Sequence, residues 1–254
     1  MDLDAANWMF VFVRASAFLL VLPVFSTPGI PVRVRVALSA ALAFLISPLL
    51  PQFSSRSASF GLWLGWFVLE ALTGLCLGFV TRMVFYAADF AGRLIANEMG
   101  LNMASTFDPL TGGQNQVPGT ILFFFAVTIL MTLDMHHWLL LGFQQSYQLV
   151  PVGGARLREA LLAEIIAHTG RVFLVGVQMA APMMAVSFIL MLIFSMLGRA
   201  APQMNVFGES FGVRVLVGLA MFGLTSEILA QHIINYLRRL PEDMIRVARC
   251  LGPS

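Results

Sequence analysis

The chain has 254 residues, of which 59% are hydrophobic and only 11% charged, and its formal net charge is +2. A soluble domain usually carries about 25% charged residues. This chain therefore lacks the polar surface of a water-soluble protein, and most of its surroundings must be lipid or other apolar helices. The small net charge and the absence of a basic cluster interleaved with aromatic residues argue against nucleic acid as a partner.

Six apolar runs approach the length that crosses a bilayer core, and each predicts a membrane helix. They fall at 8–30, 34–50, 61–88, 119–149, 171–197 and 211–237. Proline and glycine residues mark most of the breaks between them, and Pro241 is predicted to end the sixth run before a short basic tail. We therefore predict an all-α membrane protein of about six hydrophobic helices in hairpins.

The arginines do not define an orientation by the positive-inside rule. In a six-span serpentine, Arg33 and Arg82 of the first half fall on one side of the membrane, and Arg238 and Arg239 of the tail fall on the other. We therefore do not expect a simple serpentine surrounded by lipid.

Charged residues lie inside two of the apolar runs: Arg14 in the first, and Glu70 and Arg82 in the third. A charge facing lipid costs roughly 3 kcal/mol, so such a residue is expected to face a partner or a watery lumen, or to snorkel to an interface.

Glu70, Gly74, Gly78 and Arg82 recur every fourth residue and share one helix face. Two glycines at this spacing favour close packing of another helix. Because Glu70 and Arg82 are about 18 Å apart along the axis, each needs a partner from another helix or chain, and we predict a helix-packing and assembly face.

The longest polar break, 102–119, has a mixed composition. It is rich in Gly, Asn and Gln but also carries large apolar residues. A plain connection outside the membrane is one interpretation, and a loop folded back into a hydrophobic lumen is the other. Asp108-Pro109 favours a turn, and the glycines keep the backbone deformable. The candidate gating residues are Met103, Phe107, Asp108, Pro109, Leu110, Gly112 and Gly113.

No spacing typical of an enzyme is present. His136-His137 lacks the HExxH arrangement of zinc proteases, no GxSxG nucleophile elbow occurs, and Cys76 and Cys250 form no metal or redox motif. We predict no catalytic, cofactor or metal site, and we interpret the histidines as packing or interface residues. A small-solute transporter and an intramembrane enzyme are the competing classes. The first predicts internal repeats, which we do not find.

Several short segments, taken in order along nearly the whole chain, carry a family resemblance. They are Pro23-Val24-Phe25, Pro31-Val32-Arg33-Val34-Arg35, Glu70-x3-Gly74-x3-Gly78-Phe79, Ala91-Gly92, Glu98-Met99-Gly100, Asp108-Pro109-Leu110-Thr111-Gly112, His136-His137, Ser146-Tyr147, Pro151-Val152-Gly153 and Arg199-Ala200-Ala201-Pro202-Gln203-Met204-Asn205-Val206-Phe207. With these segments the chain resembles the FliR family of type III secretion export-gate subunits, whose injectisome counterpart is called SctT. The stretch Leu133-Asp134-Met135 departs from the glycine-rich family pattern, and Phe211-Gly212-Val213-Arg214 lacks the usual proline.

The resemblance implies a subunit of a helical, closed-ended gate in the bacterial inner membrane at the flagellar basal body. FliP and FliQ, with FlhB and FlhA, are the implied partners, and unfolded secreted proteins are the implied substrates. Residues 1–170 would form a FliP-like part with a plug loop at 103–118, and residues 171–254 a FliQ-like hairpin with a basic tail. The flagellar system is favoured, with the injectisome gate as the alternative. Further assembly residues are Arg199, Pro202, Gln203, Asn205 and Phe207.

Overall fold

The computed structural model describes residues 5–26, 29–51, 59–101, 117–201, 203 and 205–252. The described residues form nine α-helices and one short 3-10 turn, Ser47–Leu49. The α-helices are α1 (Ala5–Val21), α2 (Pro23–Ser26), α3 (Val32–Ile46), α4 (Phe60–Glu98), α5 (Val117–Thr132), α6 (Met135–Leu149), α7 (Glu159–Ala200), α8 (Val206–Leu224) and α9 (Ser226–Leu251). The predicted all-α membrane class is confirmed.

Length and composition identify three to five membrane-crossing segments among the described residues. Val32–Leu49, α4 and α7 are each long and apolar enough to cross a membrane. The pairs α5–α6 and α8–α9 meet the combined requirement of length and apolar composition only together, and they are bent by 78° and 53°. Helix α1, with 17 residues, is shorter than the roughly 20 that a bilayer core requires. The prediction of about six hydrophobic helices is confirmed, but two of the predicted runs are bent pairs.

The prediction that Pro241 ends the sixth run is wrong, because α9 continues through this proline to Leu251. A proline inside a helix costs about 3 kcal/mol or more. Apolar residues at helical spacing are buried on both sides of it, and this burial offsets the cost. The buried residues are Leu237, Leu240, Met244, Val247, Ala248 and Leu251. The predicted basic tail is therefore the exposed face of an amphipathic helix end.

Contacts divide the chain into two compact units. Unit 1 contains Met1–Met83, Leu130–Thr169 and Leu237–Ser254, and unit 2 contains Val84–Ile129 and Gly170–Tyr236. Each unit takes residues from both sides of the division predicted at 170–171. The likeness of those two sequence parts to FliP and FliQ stays a prediction.

In unit 1, α1 runs parallel to the first half of α4. The ring centroids of Phe10 and Trp63 lie 5.3 Å apart, and Arg14 reaches Glu70 two turns further along α4. On its other side α1 packs against α6, where the ring centroids of Phe18 and Phe143 lie 5.0 Å apart. The core of unit 1 thus lies around α1, which explains why seven of the 17 residues of this short helix are buried.

The end of α9 is tied to unit 1 by polar contacts as well as by its apolar stripe. The amide of Arg156 donates to the carbonyl of Leu251 at 2.9 Å. The buried ring of His168 on α7 lies between two carboxylates, with Nε2 3.3 Å from Glu164 and Nδ1 3.9 Å from Asp243. These contacts hold the C-terminal turns of α9 near α6 and the start of α7.

In unit 2, α4 packs antiparallel to α5, and α7 packs against α8. In the first pair, the rings of Phe85 on α4 and Phe123 on α5 lie 5.7 Å apart, and Gly92 faces Gly119. In the second pair, Gly218 on α8 faces Met183 on α7. A Cβ at Gly92 would lie 2.2 Å from Cα of Gly119, and one at Gly218 would lie 2.8 Å from the Met183 methyl. Glycine is therefore required at Gly92 so that the two backbones can approach.

We expect Gly92→Ala to destabilise the protein although alanine is the better helix former. The added Cβ meets backbone rather than a movable side chain, and overpacking of this kind costs roughly 1–3 kcal/mol. Gly65→Ala on the same helix is the matched control, because nothing lies within 4 Å of its Cβ position. The control should be neutral or stabilising by up to about 1 kcal/mol. Unfolding of both variants in detergent measures the difference, and equal stabilities would contradict the close approach.

Candidate functional site

A buried ion pair joins α1 to α4. Arg14 Nε lies 2.5 Å from Oε2 of Glu70, and Arg14 Nη2 donates to Oε1 of Glu70 at 3.0 Å. Neither side chain is exposed. Two parallel N–H···O bonds are the arrangement that guanidinium and carboxylate groups favour. The two charges that the sequence places inside different apolar runs therefore neutralise each other across two helices.

The remaining polar atoms of this pair are bonded by α6 and the loop after it. Arg14 donates to Oγ of Ser146 at 3.3 Å and to the carbonyl of Val150 at 3.0 Å. The Arg14 guanidinium carbon lies 4.0 Å from the ring centroid of Tyr147, which adds a cation–π contact. We use the name Arg14–Glu70 cluster for six residues: Arg14, Glu70, Ser146, Tyr147, Val150 and Gly153, whose contact is described next.

A glycine in the loop completes the cluster from the carboxylate side. The amide of Gly153 donates to Oε1 of Glu70 at 3.0 Å. Gly153 has φ 72°, in the left-handed region that favours glycine. This turn directs the amide towards the carboxylate, so the Pro151-Val152-Gly153-Gly154 loop has a structural role as well as marking a helix break.

Gly74 and Gly78 let α1 approach the backbone of α4. A Cβ at Gly74 would lie 2.3 Å from the carbonyl oxygen of Arg14, and one at Gly78 would lie 2.9 Å from that of Phe18. Helix α1 of the same chain thus occupies the groove that the glycine spacing predicts. Arg82, the fourth residue of the predicted face, is half-buried on α4. The role of this face in assembly with other subunits stays a prediction.

Sequence reasoning identified Arg14 and Glu70 separately but missed their pairing. The sequence did contain a signal for this pairing. It places one acid and one base in the middle of different apolar runs, and each requires a partner at low dielectric. Ser146 and Gly153 occur in the segments that carry the family resemblance, but nothing in the sequence connects them, or Val150, with the ion pair. A hydroxyl, a carbonyl and an amide become site groups only when the fold brings them to the ion pair.

The turn between α7 and α8 contains the longest segment of the family resemblance. Arg199 is exposed in the last turn of α7, where a cation interacts favourably with the helix dipole. Asn205 caps α8, since its Oδ1 accepts from the amide of Gly208 at 3.3 Å. Gln203 is exposed in the turn. Pro202 and the side chain of Phe207 lie outside the described residues.

The whole set of candidate plug residues also lies outside the part of the chain that the structure describes. This set is Met103, Phe107, Asp108, Pro109, Leu110, Gly112 and Gly113. Helix α5 begins at Val117, immediately after the undescribed stretch.

Much of α7 exposes apolar side chains. Only 17% of its most apolar 18-residue window is buried. Large side chains at helical spacing, including Phe188, Ile189, Leu192 and Met196, are 46–71% exposed. A patch of this extent marks a surface that meets lipid or another protein.

Three possible metal ligands meet at the bend between α5 and α6. The donor atoms of Asp134, His136 and His137 lie within 4.8 Å of one another. Asp134 has φ 53°, and it starts α6 where the straight run predicted at 119–149 is broken. Asp134 and His137 are exposed, and the three donors come from a single turn of chain. The cluster lacks the enclosed four-ligand arrangement of a structural zinc site, so we assign no metal to it.

The family model described as "Bacterial export proteins, family 1" matches residues 5–240. The chain belongs to this family. It is 29% identical over 250 residues to the flagellar biosynthetic protein FliR of Pectobacterium carotovorum, covering 95% of each chain. It is 28% identical to the proteins of the same name from Escherichia coli, covering 92% of this chain and 90% of the relative, and from Bacillus subtilis, covering 97% and 96%.

The matched range places the cluster and the bends within the family region. Residues 5–240 include every described residue of the Arg14–Glu70 cluster, the α5–α6 bend and the α7–α8 turn. The last turns of α9, from residue 241 on, follow the matched range.

We expect Arg14→Leu and Glu70→Leu each to destabilise the chain by about 3–5 kcal/mol, because each leaves a buried charge without its counter-ion. The double variant should lose less than the sum of the two single losses. The exposed pair Asp89–Arg93, with Nε and Oδ2 2.9 Å apart, is the control on α4. Arg93→Leu should cost less than about 1 kcal/mol. Unfolding of the purified chain in detergent measures all four variants, and additive losses would show that the two side chains are not coupled.

Proposed function

We propose that this chain is a subunit of the flagellar type III protein export gate and helps to form the closed pore through which unfolded flagellar proteins leave the cell. The observation that carries the proposal is the family match over residues 5–240. The relatives named flagellar biosynthetic protein FliR support the flagellar system over the injectisome gate, which is the alternative. The bacterial inner membrane is the proposed location.

The distribution of polar and apolar groups supports a role as a subunit of a larger assembly. The Arg14–Glu70 cluster satisfies its charges within the chain, while α7 presents a long apolar surface. A partner on α7 would therefore bind through apolar packing rather than through ion pairs. FliP and FliQ are the proposed neighbours in the gate, with FlhB and FlhA as further partners.

A gating role without catalysis is part of the same proposal. The family is named for export, and the cluster uses its charges to hold helices together. A small-solute transporter is the less favoured alternative. It predicts substrate-binding polar groups near the middle of the membrane, whereas Arg14 and Glu70 already bind each other and the surrounding backbone.

The segment 103–118 is the proposed plug of this gate, on the basis of its composition. Phe107 and Leu110 would adhere to an apolar constriction, and Gly112 and Gly113 would let the segment yield to a passing polypeptide. A plug of this kind must be held by only a few kcal/mol, so that substrate can shift the population from closed to open.

We expect a tryptophan scan of α7 to separate a subunit interface from a lipid-facing surface. Ile189, Leu192 and Met196 share one stripe of exposed apolar residues. Tryptophan at a lipid-facing position should leave assembly unchanged, whereas at a packed interface overpacking costs roughly 1–3 kcal/mol and should lower recovery of the complex. The measurement is co-purification with FliP and FliQ, with membrane levels of each variant as the control. If the unsubstituted chain is purified as a stable homo-oligomer without these partners, the gate proposal is wrong.

We expect deletion of Thr106–Gly113 to make the membrane permeable to small ions and dyes while complex levels stay near normal. Removing the plug opens the lumen but leaves the packed helices in place. Dye entry into cells is the measurement, and deletion of Phe53–Ser57, in the Ser-rich stretch between the second and third apolar runs, is the control. A tight membrane with normal complex levels would favour an external linker over a plug.

A further inference from the structure

A cavity of about 430 Å³ opens in unit 1 between the α5–α6 bend and the proline of α9. Its volume is within the range of roughly 300–1,000 Å³ that small-molecule sites occupy. Eight of the nine described residues that line it are apolar, Leu133, Trp138, Leu240 and Pro241 among them, and the ninth is Arg238. The cavity therefore combines an apolar wall with one permanent positive charge.

The charge and the wall together define the chemistry of a ligand. Among the residues that the structure describes, no acidic side chain lines the cavity, so the guanidinium of Arg238 meets no carboxylate in this part of its wall. An arginine fork binds phosphate oxygens in a bidentate manner and stays charged at every physiological pH. A ligand with a long apolar part and an anionic phosphate complements both features.

The position of the cavity fits the level of lipid headgroups. Trp138 lines it and is 60% exposed, and tryptophan is enriched where a membrane meets water. Asp134 and His137 are exposed at the same bend, and Arg239 is exposed beside Arg238. Basic pockets between membrane helices are sites for anionic lipid headgroups.

The bend explains why the cavity exists. Asp134 adopts a left-handed conformation, which turns α6 away from the line of α5 by 78°. Pro241 lies on the opposite wall, inside α9. The bend and the proline leave space between the helices at this level, and the apolar side chains around them line it.

We propose that this cavity binds an anionic phospholipid, with one acyl chain against the apolar wall and the phosphate on Arg238. The site is separate from the export function proposed above, and its test does not depend on that function. An apolar side chain of a partner subunit and a free anion are the competing occupants.

Native mass spectrometry of the full chain in detergent tests the proposal with three probes: phosphatidylglycerol, phosphatidylcholine with the same acyl chains, and inorganic phosphate. We expect phosphatidylglycerol to bind about tenfold more tightly than phosphatidylcholine, because both lipids carry the phosphate but only phosphatidylcholine adds a choline cation, which the guanidinium of Arg238 repels. Inorganic phosphate alone should not bind or compete. Arg238→Gln should lower phosphatidylglycerol affinity about tenfold, and the matched variant Arg239→Gln should change it less than about twofold.

A second variant tests the apolar wall. Leu133→Trp places a larger side chain in the cavity and should weaken phosphatidylglycerol binding with no change in helix content. Equal effects of Arg238→Gln and Arg239→Gln, equal affinity for both lipids, or competition by inorganic phosphate would each overturn the proposal. It is also wrong if the free chain binds the lipid but the intact gate complex does not, because a partner subunit then occupies the cavity.

Discussion

The contact between Arg14 and Glu70 is the constraint on which the packing of unit 1 depends. Taking two charges out of water is expensive, and only close geometry with further hydrogen bonds offsets the cost. The structure meets this requirement with a bidentate pair, the hydroxyl of Ser146, the carbonyl of Val150 and the amide of Gly153. Each of these bonds sets the position of one element: α1 along α4, the end of α6 against α1, and the turn after α6 against Glu70. Because these groups lose their partners if a helix shifts, the cluster specifies register more strongly than apolar packing alone.

The glycines of α4 act together with this pair. Gly74 lies one turn beyond Glu70, and Gly78 two turns beyond it, on the face that meets α1. A larger residue at either position would hold α1 too far away for the ion pair to form. Close backbone approach and charge neutralisation are therefore two parts of the same helix contact.

The outer surface of α7 differs from this charged contact, because apolar side chains predominate on it. Charges are satisfied inside the chain while apolar groups face outwards, which suits a subunit surrounded by lipid and by other helices.

Local chemistry explains how much of the fold could be predicted. Apolar runs of about 20 residues predict helices whatever the rest of the chain does, and Pro23 and Pro48 mark helix breaks because proline restricts the backbone at its own position. The prediction that Pro241 ends a helix is wrong because the effect of a proline also depends on burial. The apolar stripe from Leu237 to Leu251 packs well enough to keep the helix continuous. The bend at Asp134 was missed for a similar reason. Nothing in Leu133-Asp134-Met135 requires a left-handed residue, so only packing on both sides of the bend selects it.

The sequence by itself determined the membrane class, the approximate helices and the need for a counter-charge at each buried ionic residue, because hydrophobicity, helical spacing and desolvation act through short stretches of chain. It also carried the family resemblance that the match over residues 5–240 confirms. Only the tertiary structure decided that Arg14 is the partner of Glu70 and that α1 fills the glycine groove. The same holds for the placement of Arg238 beside an apolar cavity. The contacts of the Arg14–Glu70 cluster join residues as far as 136 positions apart. Spacing along the chain does not specify such pairs, because they depend on which helix faces pack together.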